Sequence, residues 1–425
     1  MLKSIGKSLP FCIRLTAMLI SCRTVCYSQQ EKMSNPCPMN ADIWVLAGQS
    51  NMDGNGRTPD TSTNSKIMML GLDNRWVRAQ NPLHRIYEAA APAYELTIRE
   101  FPWYREMDKD KVREELTKKS EESKKHPIGG VGPGIYFARR IFDQTDRPIA
   151  LIPCGIGGTT MDQWNPTRKP GGDSILYGAM INRIKSVGGD IKGFIWYQGE
   201  SEAMSGNTKH YENELLGLID SFRKDIRNPD LPIIIVQIGR FVIKNSAMDR
   251  TFEEVREIQR TVTKKRQDVY MVTSIDLPLD DAAHLSSDGQ RRLGKRIAEV
   301  ALTYIYGLKD HGKQIDLETM KMCKDDKSGS NYLHLHFSGV SGRLTCCGLP
   351  SQFELRVNGE PRYEYVVSKT ELDLADAAGL NLFLSAISND PTQLICGSGT
   401  NPYVNITDSL DIAIPAFGPV DIQSK

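Results

Sequence analysis

The chain of 425 residues is too long for one ordinary compact domain, so two or three are expected. Its 40% hydrophobic and 25% charged residues suit folded protein with a sizeable core and exclude disordered, collagenous and polytopic membrane classes. Lys+Arg 53 against Asp+Glu 52 leaves +1, which argues against nucleic acid as a partner. Residues 1–28 carry Lys3, Lys7, Arg14 and Arg23, no acid, and an apolar run from Leu15 to Cys22, with the small residue Ser28 at the end. This reads as a signal peptide and hence a secreted or lumenal protein; an organellar transit peptide shares the composition and is the alternative. The run is too short to span a bilayer and no later stretch does so, so no membrane span is expected.

From about residue 40 to 310, short apolar runs alternate with amphipathic stretches. Strands are predicted at Ile43–Ala47, Ile149–Pro153, Gly193–Tyr197, Pro232–Ile238 and Val269–Ile275, and helices at Gly134–Phe142, Tyr211–Ile226, Thr251–Arg266 and Gly289–Tyr306. The alternation implies an α/β sandwich around a parallel sheet, with functional residues at the carboxyl ends of strands. Arg99–Lys125 interrupts it with dense mixed charge and reads as a solvated helical insertion, or alternatively as a lid. Beyond a boundary near Gly307–Gln314, the segments Tyr332–Phe337, Phe353–Val357, Tyr363–Val367, Leu380–Leu384 and Asp411–Ile414 read as strands, so 313–425 is a β-rich accessory domain.

Nine cysteines include no C-x-x-C pair; three lie in the leader, and the remaining six permit disulfides. One sequon, Asn405-Ile406-Thr407, is consistent with a secretory route. His334 and His336 share one face of a strand and read as surface imidazoles rather than metal ligands. Trp76, Trp103 and Trp164 are assigned to core packing ahead of a sugar-binding floor.

Four loops that follow predicted strands carry reactive groups. Gly48-Gln49-Ser50-Asn51-Met52 exposes a serine at a strand end, without the second glycine of the G-x-S-x-G elbow. Asp281-Ala282-Ala283-His284 offers a base and its orienting acid, because three-residue spacing in a turn brings both side chains to one side; Asp280 offers a second carboxylate. The glycines of Cys154–Thr160 and the Gln198 amide can supply donors to an oxyanion. Together they provide nucleophile, base, orienter and donors.

These segments also resemble the blocks of the SGNH hydrolase superfamily, and more closely its sialic acid-specific acetylesterase and carbohydrate esterase family 6 branch. The matching residues are Gly48–Met52, the Gly157–Thr160 turn, Trp196–Glu200 and Asp281–His284, in that order across roughly 40–300, with Val131–Ala138 similar to a helix start of that branch. The tail from Cys396 to Phe417 is similar to the end of a bacterial β accessory domain. The resemblance implies a three-layer α/β/α sandwich and a serine esterase that removes O-acetyl groups from a carbohydrate, either sialic acid or a plant-type glycan, with no metal or cofactor. It assigns Ser50 as nucleophile, His284 as base and Asp281 as orienter. The oxyanion hole would be the Ser50 amide, Gly158 (or Gly157) and Gln198, with Glu200 as an auxiliary acid. Two departures stand out: Asn81 precedes Pro82-Leu83-His84 where family members often carry an acid, and Arg99–Lys125 is inserted. Rival readings are an SGNH lipase or thioesterase on longer acyl esters, and an inactive carbohydrate-binding protein on the same scaffold.

Overall fold

A computed structural model describes residues 40–58, 60–243 and 245–422. The expected leader and Cys37 lie outside them. The seven strands β1 (Asp42–Gly48), β2 (Ile67–Leu70), β3 (Trp76–Arg78), β4 (Ile149–Pro153), β5 (Ile191–Tyr197), β6 (Ile233–Gln237) and β7 (Val269–Thr273) form one sheet. Its order is β3-β2-β4-β1-β5-β6-β7, parallel except for the edge strand β3. β1, β4 and β6 are buried along their whole length, as continuous apolar strands covered on both faces must be.

Helices interleave with these strands: α1 (Ser50–Asp53), α2 (Pro92–Arg99), α3 (Pro102–Arg105), α4 (Lys109–Lys125), α5 (Gly134–Thr145), α6 (Leu176–Val187), α7 (Glu200–Ser205), α8 (Tyr211–Ile226), α9 (Ser246–Lys265) and α10 (Ser287–Tyr304). All five predicted core strands and all four predicted helices form, with ends shifted by a few residues. β2, β3 and α6 were not anticipated: β2 is a four-residue Ile-Met-Met-Leu run, and α6 lies behind the turn-like Pro170-Gly171-Gly172. The charged insertion is helical, and α4 is more than a solvated rod. Val112 and Leu116 are buried, Ser123 Oγ donates to Glu88 (2.9 Å) and Lys119 Nζ to Tyr104 (2.7 Å).

The C-terminal part is antiparallel. β8 (Asp316–Lys324), β9 (Asn331–Ser338), β13 (Val367–Leu372) and β14 (Gly379–Leu384) make one four-stranded sheet, in the order β13-β14-β9-β8. β11 (Phe353–Val357), β12 (Glu360–Pro361), β15 (Thr392–Cys396) and β17 (Phe417–Asp421) make a second, and β10 (Thr345–Cys346) pairs β16 (Ile406–Thr407). One apolar core joins Leu333, Leu335 and Leu382 of the first sheet to Leu355, Leu394 and Phe417 of the second. Two predicted strands fail here. Tyr363 sits in a turn closed by Tyr365 N–H to Arg362 O (3.1 Å), so β13 begins only at Val367. Asp408 Oδ1 accepts from Leu410 and Ile412 N–H (2.9 Å each), which turns the chain, so the Asp411–Ile414 segment pairs only through a single antiparallel bridge, Ala413 to Thr407, while Ile412 and Ile414 enter the core.

Buried polar contacts join the two parts. Arg356 forms a two-pronged pair with Glu253 of α9 (2.8 Å each), Arg260 reaches Asp316 (2.8 Å), and Gln237 exchanges hydrogen bonds with the Ala416 backbone. Cys154, Cys323, Cys346, Cys347 and Cys396 are free thiols. The sequon amide is engaged, because Asn405 Nδ2 donates to Cys347 O and Leu349 O (2.9 Å each). Among the described residues, no helix is long and apolar enough to cross a membrane.

Candidate active site

The central strand β1 lies between β4 and β5, and the loops after all three converge at their carboxyl ends. Gly48 closes β1 at φ +137, where a Cβ would stand 2.0 Å from Tyr197 O of β5, so no side chain fits. The Gln49 side chain then serves the neighbouring loop: its Oε1 accepts from Gly199 and Ser201 N–H (3.3 Å each) at the start of α7. Ser50 follows as the first residue of α1, with its side chain half-buried.

The loop after β7 returns to meet it. His284 Nε2 lies 3.0 Å from Ser50 Oγ, and His284 Nδ1 lies 2.8 Å from Asp281 Oδ2. Asp281 Oδ1 accepts from Ala283 and His284 N–H, both at 2.8 Å. Burial pushes this carboxyl up, but the imidazole bond and those two amides outweigh it and hold it down at about 2. Asp280 faces elsewhere, with Oδ2 accepting from Arg57 N–H (2.9 Å). The fold therefore separates the two carboxylates that spacing alone left open.

Asn51 was missed in the sequence, although it stands beside the serine. Its Nδ2 donates to Glu200 Oε1 (2.9 Å) and Ala283 O (3.1 Å), while its Oδ1 accepts from Leu285 N–H (3.0 Å). It thus brackets His284 from both sides in the chain. Glu200 supports Asn51, and burial raises its carboxyl against the Asn51 bond that lowers it.

In the β4 loop, Gly157 is the residue against Ser50: a Cβ there would lie 3.4 Å from Ser50 Cβ. Its N–H engages the Asp53 carboxyl, which burial otherwise drives well up. Gly158, at φ +69, faces the Phe101 ring, 3.8 Å from the position of a Cβ. Phe101 in turn packs on Trp103, centroids 5.0 Å apart, and Trp103 is half-exposed. Trp76 and Trp164 are buried in the core. The start of the charged insertion is therefore an aromatic wall of this site.

Gln198 departs from the direct donor role. It is fully buried, and its Nε2 donates to Thr159 O (3.2 Å) and to the Glu202 carboxylate. An amide with both N–H groups committed has none left for an oxyanion. Glu202 also accepts from Met161 N–H (2.7 Å); burial raises its carboxyl to about 7 against these bonds.

The profile of the carbohydrate esterases, sialic acid-specific acetylesterase, matches residues 40–303. The chain belongs to this family. Its chemistry is the hydrolysis of carboxylic esters on carbohydrates. A probable carbohydrate esterase of Arabidopsis thaliana is 30% identical over 299 residues, covering 64% of this chain and 94% of the plant protein. Sialate O-acetylesterase of Homo sapiens is 26% identical over 172 residues, about a third of either chain (33% and 32%). The crystal structure of a carbohydrate acetylesterase from Xanthomonas citri superposes with a TM-score of 0.61 at 16% identity, covering 88% of this chain and 80% of the other. That likeness in fold extends through the C-terminal sheets.

Proposed function

We propose that Ser50, His284 and Asp281 remove O-acetyl groups from a carbohydrate through an acetyl-enzyme. The observation that carries this reading is the unbroken line Ser50 Oγ, His284, Asp281, at 3.0 and 2.8 Å. Ser50 Oγ attacks the acetyl carbonyl carbon while His284 Nε2 takes its proton. Asp281 holds the proton on Nδ1 and stabilises the imidazolium. The Ser50 N–H, which has no intrahelical acceptor at the start of α1, and the Gly158 N–H receive the oxyanion. Gly157 is the weaker choice of donor because Asp53 engages its amide. Gln198 acts through Thr159 and keeps the glycine loop in place.

Collapse of the tetrahedral intermediate breaks the bond to the sugar oxygen, and His284 returns the proton to that oxygen. Water, deprotonated by His284, then attacks acetyl-Ser50 and frees acetate. The scheme calls on no metal or organic cofactor. The half-buried Phe101 and the half-exposed Trp103 form an aromatic wall suited to stack on a sugar ring. Residues 40–310 are the catalytic unit on this reading. The acid-free leader with its apolar run supports a secreted or lumenal location.

The test is hydrolysis of an aryl acetate by wild type, Ser50→Ala and His284→Ala, with a fluorophosphonate probe for Ser50. Both variants lose activity, and only the Ser50 variant escapes the probe through loss of its target atom. Activity retained in either variant overturns the mechanism. A substrate series from acetate to octanoate, followed by acetylated sialic acids and plant glycans, separates the lipase reading and identifies the sugar.

A further inference from the structure

The first C-terminal sheet carries a constellation that the esterase chemistry does not use. His334 and His336 alternate along β9 with the buried Leu333, Leu335 and Phe337, so both imidazoles stand on the face away from the core. Sequence offered them no nearby carboxylate. The fold supplies three: Asp373 and Asp376 from the turn between β13 and β14, and Glu318 from β8.

Asp376 Oδ2 lies 2.5 Å from His336 Nδ1 and 3.3 Å from His334 Nε2. One donor atom from each of these three residues falls within 4.8 Å of the others. The far nitrogen of each imidazole has its own partner. His334 Nδ1 meets Asn381 Oδ1 at 2.9 Å and Asp373 Oδ2 at 3.4 Å, and His336 Nε2 faces Glu318 Oε2 at 3.8 Å. A proton held on His334 Nδ1 by those acceptors leaves the Nε2 lone pair aimed at a carboxylate oxygen. In the neutral imidazole that lone pair and the Asp376 oxygen are two ligand atoms facing each other. Their 3.3 Å separation is close to the edge of a zinc tetrahedron, roughly 3.4 Å for metal–ligand bonds of about 2.0–2.1 Å, whereas the 2.5 Å His336–Asp376 pair opens by roughly 0.9 Å when its proton gives way to the ion.

The turn is also built to hold its aspartates. Asp373 Oδ1 accepts from Ala375 (2.8 Å) and Asp376 (3.3 Å) N–H, and Asp376 Oδ1 from Ala378 N–H (3.0 Å). A Cβ on Gly379 would stand 2.7 Å from Asp376 Cβ and 2.9 Å from Asp373 Cβ, so the glycine keeps both against the strand. Lys321 pairs with His334 across β8, and Arg343 donates to Asp373 O (3.3 Å) and Leu374 O (3.4 Å) of the same turn.

We propose that His334 Nε2, His336 Nδ1 and the Asp376 carboxylate bind a divalent transition metal ion, Zn2+ by preference, with water completing the tetrahedron. Asn381, Asp373 and Glu318 are the outer partners that orient the imidazoles. Binding displaces the proton between His336 and Asp376 to solvent, and the ion staples the 373–379 turn to β9. The site is remote from Ser50 in the chain and independent of the esterase reading.

The experiment uses the untagged full chain stripped with chelator and titrated with Zn2+ by calorimetry, with metal content measured after gel filtration. Wild type binds one more equivalent than His334→Ala or Asp376→Asn, and only wild type gains thermal stability with the metal. Asn381→Ala binds roughly tenfold more weakly. Co2+ substitution gives the visible absorption of a tetrahedral nitrogen and oxygen site. An unchanged circular dichroism spectrum and gel-filtration volume in each metal-free variant show that it is folded. Equal stoichiometry and affinity in wild type and both ligand variants, or no Zn2+ retained by wild type, overturns the proposal.

Discussion

Asp281→Asn tests the site most sharply, because the surrounding amides dictate how the new side chain must sit. Asp281 Oδ1 accepts two backbone N–H groups at 2.8 Å, so the asparagine carbonyl takes that position. Its NH2 then falls where Oδ2 was, 2.8 Å from His284 Nδ1. A donor there forces the imidazole to present a lone pair at Nδ1 and to carry its proton on Nε2, facing Ser50 Oγ. That tautomer cannot accept the serine proton. The expected loss in kcat is roughly 10⁴-fold, as for an inverted tautomer in other Ser-His-Asp sites, or about 5 kcal/mol in the barrier. Stability changes as well. Folding lowers this carboxyl from 3.8 to about 2, so its contribution is present above pH 4 and lost as the pH falls through 2. At neutral pH this amounts to about 2 kcal/mol. The assay is kcat and KM on an aryl acetate, with Asp280→Asn as control and thermal unfolding measured for both. Asp280→Asn should stay within about twofold of wild type, since its carboxylate serves only a surface loop. A kcat for Asp281→Asn within tenfold of wild type, or an equal loss in Asp280→Asn, refutes the reasoning.

Other substitutions probe the surroundings. Glu202 is protonated in the folded protein up to about pH 7, whereas the unfolded carboxyl releases its proton near 4.5, so stability falls as the pH rises through that window, by about 3 kcal/mol. Glu202→Gln should flatten that part of a denaturation-versus-pH curve, and an unchanged slope counts against the assignment. Phe101→Ala should raise KM for an acetylated sugar roughly tenfold while leaving a small aryl acetate nearly unaffected; an equal effect on both would mean a general distortion. Arg356→Ala strands Glu253 with only Ser398 Oγ and Gly399 N–H, at a cost of about 3 kcal/mol. Denaturant unfolding checks this, and a cost under about 1 kcal/mol would show that the pair contributes little to joining the two parts.

Much of this arrangement was legible along the chain. The five Ile- and Val-rich strands, the amphipathic helices and the order of the motifs follow from local periodicity, which depends only on neighbours in sequence. Ser50, Asp281 and His284 were readable because each follows a strand, and strand ends meet on one edge of a parallel sheet. Chain-distant pairing was not readable. Asn51 looked like part of a motif until Glu200, Ala283 and Leu285 closed around it. Gln198 looked free to donate until Thr159 and Glu202 took both its hydrogens. The insertion looked like a solvated helix, yet its first aromatic residue stands against Gly158.

The sequence by itself determined which side chains are candidates for the chemistry and the strand ends from which they project. Tertiary structure alone decided which carboxylate meets His284, which glycine lies against Ser50 and which amide is already spent. It also brought Asp376 to His334 and His336. Side-chain type and local period are properties of short segments, whereas hydrogen-bond partners depend on residues that only folding brings within 3 Å.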